Sequence, residues 1–154
     1  MNLASTAFRE GDLIPAKHTC DGKNVSPHLR WDLVPQGTKS LALIVDDPDA
    51  PSGTFVHWVV YHIPPSVTEL QEGVSPVDVM SNGSMQGRNG FGKIGYGGPC
   101  PPSGTHRYFF RLYALNAQVE LHAEATRHDL DAAMKSKIIA QAELMGTYAR
   151  QARH

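Results

Sequence analysis

Three aspartates between residues 46 and 51 are the first side chains that could carry chemistry. The stretch reads Asp-Asp-Pro-Asp-Ala-Pro and directly follows an apolar run. Because proline fixes φ, the carboxylates of Asp46, Asp47 and Asp49 should be held in a stiff turn. Taken alone, the stretch is better interpreted as an acidic surface turn with side-chain caps. It becomes a candidate site only if other polar side chains lie beside it.

A histidine, His57, interrupts an otherwise apolar segment. Side chains of a strand alternate between its two faces, which predicts two sets here. One set is Phe55, His57, Val59 and Tyr61, and the other is Val56, Trp58, Val60 and His62. A single histidine on a strand is usually a structural residue, so His57 needs supporting neighbours before it indicates a site.

A loop rich in glycine and proline, residues 97–105, runs into a strand that begins with His106 and Tyr108. Glycines such as Gly98 allow a ligand to approach the backbone closely, and prolines hold the loop stiff. His106 and Tyr108 should share one face of the strand, with Arg107 on the other. The alternative is a rigid crossover loop that binds nothing.

Three segments have the composition of strands, and they must position these side chains. They are Ser40–Val45, Thr54–Ile63 and Arg107–Leu115. The first is a short apolar run that ends at acidic residues, the second is β-branched and aromatic, and the third alternates aromatic, aliphatic and charged residues. Stretches rich in glycine and proline lie between them. Short strands separated by turns favour an antiparallel, sandwich-like fold.

The C-terminal part of the chain has a different pattern, with apolar residues at helical spacing: Leu130, Met134, Ile138, Ala142 and Met145. Thr126 followed by Asp129 is typical of a helix N-cap. The pattern predicts helix from about Arg127 to Arg150, either continuous or broken into two, packed on the sheet.

The composition limits the classes of function. A chain of 154 residues fits one domain, residues 1–154, and its formal net charge of −1 gives no sign of a nucleic-acid-binding surface. The N-terminus has no signal-peptide pattern and no segment has the length of a membrane span, so we expect a cytoplasmic protein without membrane insertion. In that compartment Cys20 and Cys100 are expected to be free thiols.

Taken together, these motifs resemble the phosphatidylethanolamine-binding family, also called Raf kinase inhibitor proteins. The Asp-Pro-Asp-Ala-Pro turn followed by a strand histidine matches one signature region, and the Gly-Pro loop closing on His-Arg-Tyr matches the other. Further matches are typical of the bacterial, Raf kinase inhibitor-like branch: Thr19–Gly22, Asn24–Pro27 with Leu29 and Trp31, Gly98–Pro102 and Leu144–Tyr148. The resemblance covers nearly the whole chain.

The resemblance implies a mainly β fold in which a large antiparallel sheet packs against a smaller one, with helices at the C-terminus. It also implies a pocket for phosphate-like anions or the phosphoethanolamine head group, formed by Asp47, Asp49, His57, Gly98, His106 and Tyr108. Cys100 would lie in the pocket wall. The expected protein is a binding protein without a cofactor or catalytic residues. Its ligand would be a small phosphorylated molecule, with a protein kinase or another protein as a further partner, and it would form a homodimer.

Carboxylates beside an anion need an explanation, because they repel it. An aspartate that accepts a hydrogen bond from one histidine nitrogen favours the imidazolium, which attracts phosphate. The same residue types also suggest an alternative, a metal-dependent hydrolase whose ligands are His57, His106, Asp47 and Asp49. The chain has no Gly-x-Ser-x-Gly motif, which makes a serine hydrolase the weakest alternative.

Overall fold

The computed structural model describes residues 1–150, which form eight strands, one α-helix and one 3₁₀ helix at Ala16–His18. The strands are β1 (Asn2–Ala4), β2 (Leu29–Asp32), β3 (Ser40–Asp47), β4 (Phe55–Ile63), β5 (Glu69–Leu70), β6 (Met85–Gln86), β7 (His106–Leu115) and β8 (Ile138–Tyr148). The helix α1 is Arg127–Met134 and precedes β8. No helix among the described residues is long and apolar enough to cross a membrane.

The strands form two antiparallel sheets, as the sequence predicts. The small sheet has the order β1-β2-β5, and the large sheet has the order β6-β4-β3-β7-β8. The three strands that the sequence identifies, β3, β4 and β7, are the adjacent central strands of the large sheet. Since β4 and β7 both pair with β3, the polar residues at the end of β3 and at the starts of β4 and β7 come together at one end of the central strands.

Strand β3 is buried along its whole length because both faces of the large sheet are covered. Leu41, Leu43 and Val45 face the core between the two sheets, where Trp31, Trp58, Phe110 and Leu112 also lie. Ala42 and Ile44 face a second core, which the segment from Val119 to Met134 closes on the opposite side. Burial on both faces explains why β3 is a continuous apolar run instead of an alternating one.

The prediction of a helix from about Arg127 to Arg150 is correct for α1 and wrong for the rest. Thr126 forms the expected N-cap as part of a capping box with Asp129. The helix ends at Met134, and Ser136 has a φ of 66°. Residues 138–148 then form β8, which pairs with β7 over almost its whole length.

The error has a simple physical origin, since residues four apart share a face in a strand as well as in a helix. Residues two apart distinguish a strand from a helix, because they share a face only in a strand. Ala140, Ala142 and Leu144 all pack toward the core between the sheets, with Tyr148 on the same side. Gly146 continues this alternation, because a Cβ there would lie 2.6 Å from Ile14. The period of β8 is therefore two, and its pairing with β7 outweighs the weaker helical pattern.

The expectation of two free thiols is also wrong. Cys20 and Cys100 form a disulfide, with Cα atoms 5.4 Å apart and 80 residues between them in sequence. The same two loops are also joined by a hydrogen bond, in which the backbone N–H of Cys20 donates to the carbonyl of Pro99 at 3.1 Å. The expectation was based on cell compartment, which carries no information about this proximity.

Candidate functional site

A β-bulge sets the direction of the His57 side chain. In the pairing of β3 with β4, Val45 lies opposite Trp58 and Asp46 lies opposite Val56, so His57 is the extra residue. The simple alternation predicted for this strand is therefore wrong at the bulge. Val56 packs with Val59 and Tyr61 in the second core, whereas Trp58 faces the core between the sheets. The His57 ring lies beside Phe55 and Tyr108, with centroids 5.0 and 5.3 Å away.

The three aspartates at the end of β3 have three different partners. Asp46 is buried and pairs with Arg111 and Arg127. Asp47 accepts from the Asp49 backbone N–H with one oxygen and contacts His106 with the other. Asp49 turns outward and binds Arg107. The acidic turn is thus neither a plain surface turn nor a cluster of free carboxylates, and only Asp47 is aimed at the histidines.

Asp49 is engaged almost completely by Arg107. Its Oδ2 accepts from the Arg107 backbone N–H and from Nε, both at 2.9 Å, and its Oδ1 accepts from the guanidinium at 2.9 Å. These hydrogen bonds lower the pKa of Asp49 to about 2. Arg107 is exposed, on the opposite face from His106 and Tyr108, as strand alternation predicts. Asp49 therefore fixes the turn to β7 and does not contact the cavity.

His106 is held by acceptors on both ring nitrogens. Nδ1 lies 2.7 Å from Asp47 Oδ2, and Nε2 lies 3.1 Å from the carbonyl oxygen of Ser103. A neutral imidazole has one N–H and satisfies only one of these acceptors, whereas an imidazolium satisfies both. In the doubly protonated form, His106 and Asp47 together carry no net charge. Only in that form does the pair carry no net charge that would repel an anion.

The buried polar side chains meet at one cavity of about 140 Å³. Its volume corresponds to roughly four or five molecules of liquid water, enough for a tetrahedral oxyanion with five heavy atoms. Buried polar residues, the rim of the acidic turn and the Gly-Pro loop line it: Asp47, Ala50, Pro51, Phe55, His57, Phe91, Cys100, Pro101, Pro102, His106 and Tyr108. The predicted convergence of Asp47, His57 and His106 on one small cavity is confirmed, as is the position of Cys100 in its wall.

Tyr108 contributes an unused hydrogen-bond donor to this cavity. The residue is 1% exposed, and its hydroxyl makes no well-formed hydrogen bond within residues 1–150. Burial raises the pKa of Tyr108, and so do the negative charge of Asp47 and a weak interaction of the hydroxyl with that carboxylate, so the hydroxyl stays protonated. A buried hydroxyl without a partner costs free energy in the empty protein. Such a group is a strong indication that a ligand completes the site.

Burial favours the neutral form of the His57 ring at pH 7. Burial lowers its pKa, and this effect exceeds the opposing effects of the Gly97 and Gly98 backbone and of the Asp47 and Asp46 carboxylates. Its Nδ1 lies 2.6 Å from the Gly97 carbonyl oxygen, which is an acceptor, so Nδ1 carries the proton. The ring can gain a second N–H at Nε2 only when something offsets the cost of a buried positive charge.

Gly98 supports the cavity from behind and is not part of its lining. Its backbone N–H donates to Asn24 Oδ1 at 2.8 Å. A Cβ at this position would lie 2.3 Å from the carbonyl oxygen of His18, so only glycine allows the two loops to pack this closely. Of the six residues predicted for the pocket, the structure brings four to the cavity: Asp47, His57, His106 and Tyr108. Asp49 and Gly98 position its walls.

The sequence motifs do not predict the aromatic and proline side of the cavity. Phe91 is 47% exposed, and its ring lies 4.8 Å from that of Phe55. Pro51 and Pro102 are exposed on the remaining rim. Strand alternation places Phe55 beside His57, but nothing in the sequence indicates that Phe91 folds back from its glycine-rich loop. The polar floor is therefore reached through an apolar mouth.

The residues of the metal-hydrolase alternative are not arranged as a metal site. Within residues 1–150, no three histidine, cysteine, aspartate or glutamate side chains are grouped so that they could hold a metal ion. Asp47 and His106 bind each other, and Asp49 is engaged by Arg107. The geometry gives this alternative no support.

Comparison with known proteins agrees with this architecture. The sequence model of the family described as phosphatidylethanolamine-binding protein matches residues 4–149. The chain belongs to that family. Among other family relatives, a UPF0098 protein of Methanothermobacter thermautotrophicus is 51% identical, over 97% of this chain and 99% of the relative. A UPF0098 protein of Aquifex aeolicus is 52% identical, over 97% of this chain and 89% of the relative.

Two solved structures share the phosphatidylethanolamine-binding fold over nearly the whole chain. A phosphatidylethanolamine-binding protein homologue from Chlamydia trachomatis has a TM-score of 0.90 and 43% identity, and the match covers 97% of each chain. YbcL from E. coli, described as a member of the mammalian family, has a TM-score of 0.90 and 34% identity, covering 97% of this chain and 98% of its own. These matches support the predicted family and the predicted two-sheet fold.

Proposed function

We propose that this protein binds a phosphoryl group or a similar oxyanion in the cavity formed by Asp47, His57, His106 and Tyr108, without catalysing a reaction. The observation that carries the proposal is the Tyr108 hydroxyl, a buried donor without a partner at a cavity of suitable size. An oxyanion is the ligand class that such a donor and a histidine pair would complete.

Binding of an anion in the cavity should be coupled to the uptake of a proton by the protein. The Asp47–His106 pair is neutral when His106 carries both protons, and His57 is neutral at pH 7 because of burial. A bound anion stabilises the His57 imidazolium and raises its pKa, so binding should be accompanied by proton uptake. Affinity should therefore increase as the pH falls from about 8. Because the pKa of free His57 lies below 6.5, the increase should continue below pH 6.5.

The phosphoryl group can belong to several carriers. The family name points to the phosphoethanolamine head group, and a small phosphorylated metabolite presents the same oxygens. A kinase or other protein with a phosphorylated segment would present them as well, as expected for a kinase-inhibitor-like regulator. The apolar rim of Pro51, Phe91 and Pro102 favours carriers whose phosphoryl group is not surrounded by further charge.

Calorimetric titration with sulfate tests this proposal, because sulfate stays a dianion between pH 5.5 and 8 whereas phosphate changes its charge. The affinity of the wild type should rise toward low pH by up to about tenfold per unit, the limit for one proton. His57→Ala and His106→Ala should weaken binding. His28→Ala, which removes a histidine paired with Glu69 on the small sheet, is the matched control and should have no effect. Sulfate binding that is independent of pH and survives both cavity substitutions would contradict the proposal.

The carriers are distinguished by titrating phosphate and phosphoethanolamine under the same conditions. Tighter binding of phosphoethanolamine would identify the lipid head group as the preferred source. Equal affinities would indicate that the protein recognises only the phosphoryl group. A phosphorylated protein partner would instead be released by excess sulfate.

A further inference from the structure

The Cys20–Cys100 disulfide connects the wall of the cavity to a loop outside it. Cys100 lines the cavity and is half-buried, whereas Cys20 is exposed. Cys20 is therefore the side from which a thiolate in solution would approach the bond, whereas Cys100 is part of the proposed binding site.

The wall segment depends on this bond because its backbone offers few other attachments. The first part of the Gly-Pro loop is held by hydrogen bonds: Tyr96 to the His18 carbonyl at 2.6 Å, Gly98 to Asn24 at 2.8 Å and Cys20 to the Pro99 carbonyl at 3.1 Å. The next part, residues 100–105, contains Pro101 and Pro102, which have no N–H to donate.

Among the described residues, this second part is attached by the Cys20–Cys100 disulfide and by the contact of the Ser103 carbonyl with His106 Nε2. Breaking the disulfide would leave this part of the wall held by the packing of the buried Pro101 and by the Ser103 contact, with Pro102 exposed. Movement of this segment would change the environment of His106, because the Ser103 carbonyl oxygen lies 3.1 Å from Nε2 of that ring.

We propose that the Cys20–Cys100 bond is a site of reversible thiol–disulfide exchange that controls anion binding in the cavity. This inference rests on the proposed function. A dithiol reductant attacks the exposed Cys20 sulfur, the S–S bond breaks, and Cys100 leaves as a thiolate that takes up a proton. The second thiol of the reductant then attacks the mixed disulfide, which releases Cys20 as a thiol and the reductant as its own disulfide. Two electrons pass to the protein in total.

The oxidised protein has a preformed wall, and the reduced protein must order residues 100–105 when the anion binds. Ordering a loop at the moment of binding lowers affinity. We expect the reduced protein to bind sulfate about tenfold more weakly than the oxidised protein. Reoxidation should restore the original affinity.

The experiment is a sulfate titration at pH 6 on the oxidised protein, on protein reduced with dithiothreitol and exchanged without oxygen, and on protein reoxidised afterwards. Cys20→Ser provides a second route to the open state, since it leaves the Cys100 thiol in the wall. Its affinity should match that of the reduced wild type and should not respond to reductant. Near-ultraviolet circular dichroism checks that each sample is folded during the titration.

Met134→Ala controls for a general loss of stability. Met134 is buried in the core on the opposite face of the large sheet, so this variant should unfold more easily but bind sulfate normally. Equal affinities of the oxidised and reduced proteins would overturn the redox proposal and leave the anion site intact. Failure of the oxidised protein to bind sulfate would instead overturn the proposed function. If the reduced protein and Cys20→Ser both unfold at the titration temperature, the loss of binding is global, and local control of the wall is contradicted.

Discussion

Replacing Tyr108 by phenylalanine removes one oxygen atom, and stability and affinity should respond in opposite directions. In the free protein the Tyr108 hydroxyl is buried, lies near the Asp47 carboxylate and makes no hydrogen bond of acceptable geometry to it, and the residue is 1% exposed. An unsatisfied buried polar group costs about 1–3 kcal/mol. Since phenylalanine keeps the ring packed between His57 and His106, Tyr108→Phe should leave the free energy of unfolding unchanged or raise it by about 1 kcal/mol.

The effect on the ligand should be a loss. A hydrogen bond to a charged group contributes about 1.5–3 kcal/mol, so the affinity for sulfate should fall by about 10- to 150-fold. Urea unfolding without sulfate gives the stability change from the transition midpoint, provided the slope is unchanged. Calorimetry gives the affinity.

Tyr61→Phe is the matched control for this pair of measurements. Tyr61 is also buried, but its hydroxyl donates to the His122 carbonyl at 2.7 Å in the second core. Its loss should destabilise the protein by about 1 kcal/mol and leave sulfate binding unaltered. A Tyr108→Phe variant that is destabilised to the same extent and binds sulfate normally would refute the assignment of the Tyr108 hydroxyl to the ligand.

Three further outcomes follow from the fold. Replacing Cys20 and Cys100 by serine opens a loop with a sequence separation of 80, and urea unfolding should show a loss of up to about 4.5 kcal/mol in the chain-entropy model; no loss would contradict the expected stabilisation by the bond. Gly146→Ala places a Cβ 2.6 Å from Ile14, so it should cost about 1–3 kcal/mol, and neutrality would contradict the tight packing under β8. Because burial holds the pKa of His57 below 6.5, the unfolded chain gains this proton first, and stability should fall from about pH 7 to pH 5. His57→Gln should flatten that fall, and an unchanged pH profile would exclude His57 as its source.

The sequence predicts the central sheet well because local pattern and tertiary environment agree there. The runs at residues 40–45 and 54–63 are mostly apolar with β-branched residues, the run at 107–115 is rich in aromatic residues, and all three lie in the middle of the large sheet. Two signature regions also bring Asp47, His57 and His106 to one cavity. These motifs can be identified from the sequence without knowing how the strands are paired.

The remaining features depend on contacts that no local pattern encodes. Residues 138–148 are a strand because β7 offers an edge for pairing, although their apolar spacing fits a helix as well. The bulge at His57 follows from the register of β3 against β4, which shifts between Val45 and Asp46. The disulfide requires two loops from distant parts of the chain to meet, and the cysteines alone do not reveal this.

The most direct test of the anion site is to locate the anion in a crystal. Crystals of the oxidised protein grown without sulfate or phosphate should be soaked in selenate, a dianion of the same shape as sulfate, and measured at the selenium absorption edge. We predict an anomalous peak in the cavity, within hydrogen-bonding distance of the Tyr108 hydroxyl and beside the His57 ring, which is lost in Tyr108→Phe crystals. A cavity without a peak, in crystals where selenate binds only at exposed surface residues, would contradict it.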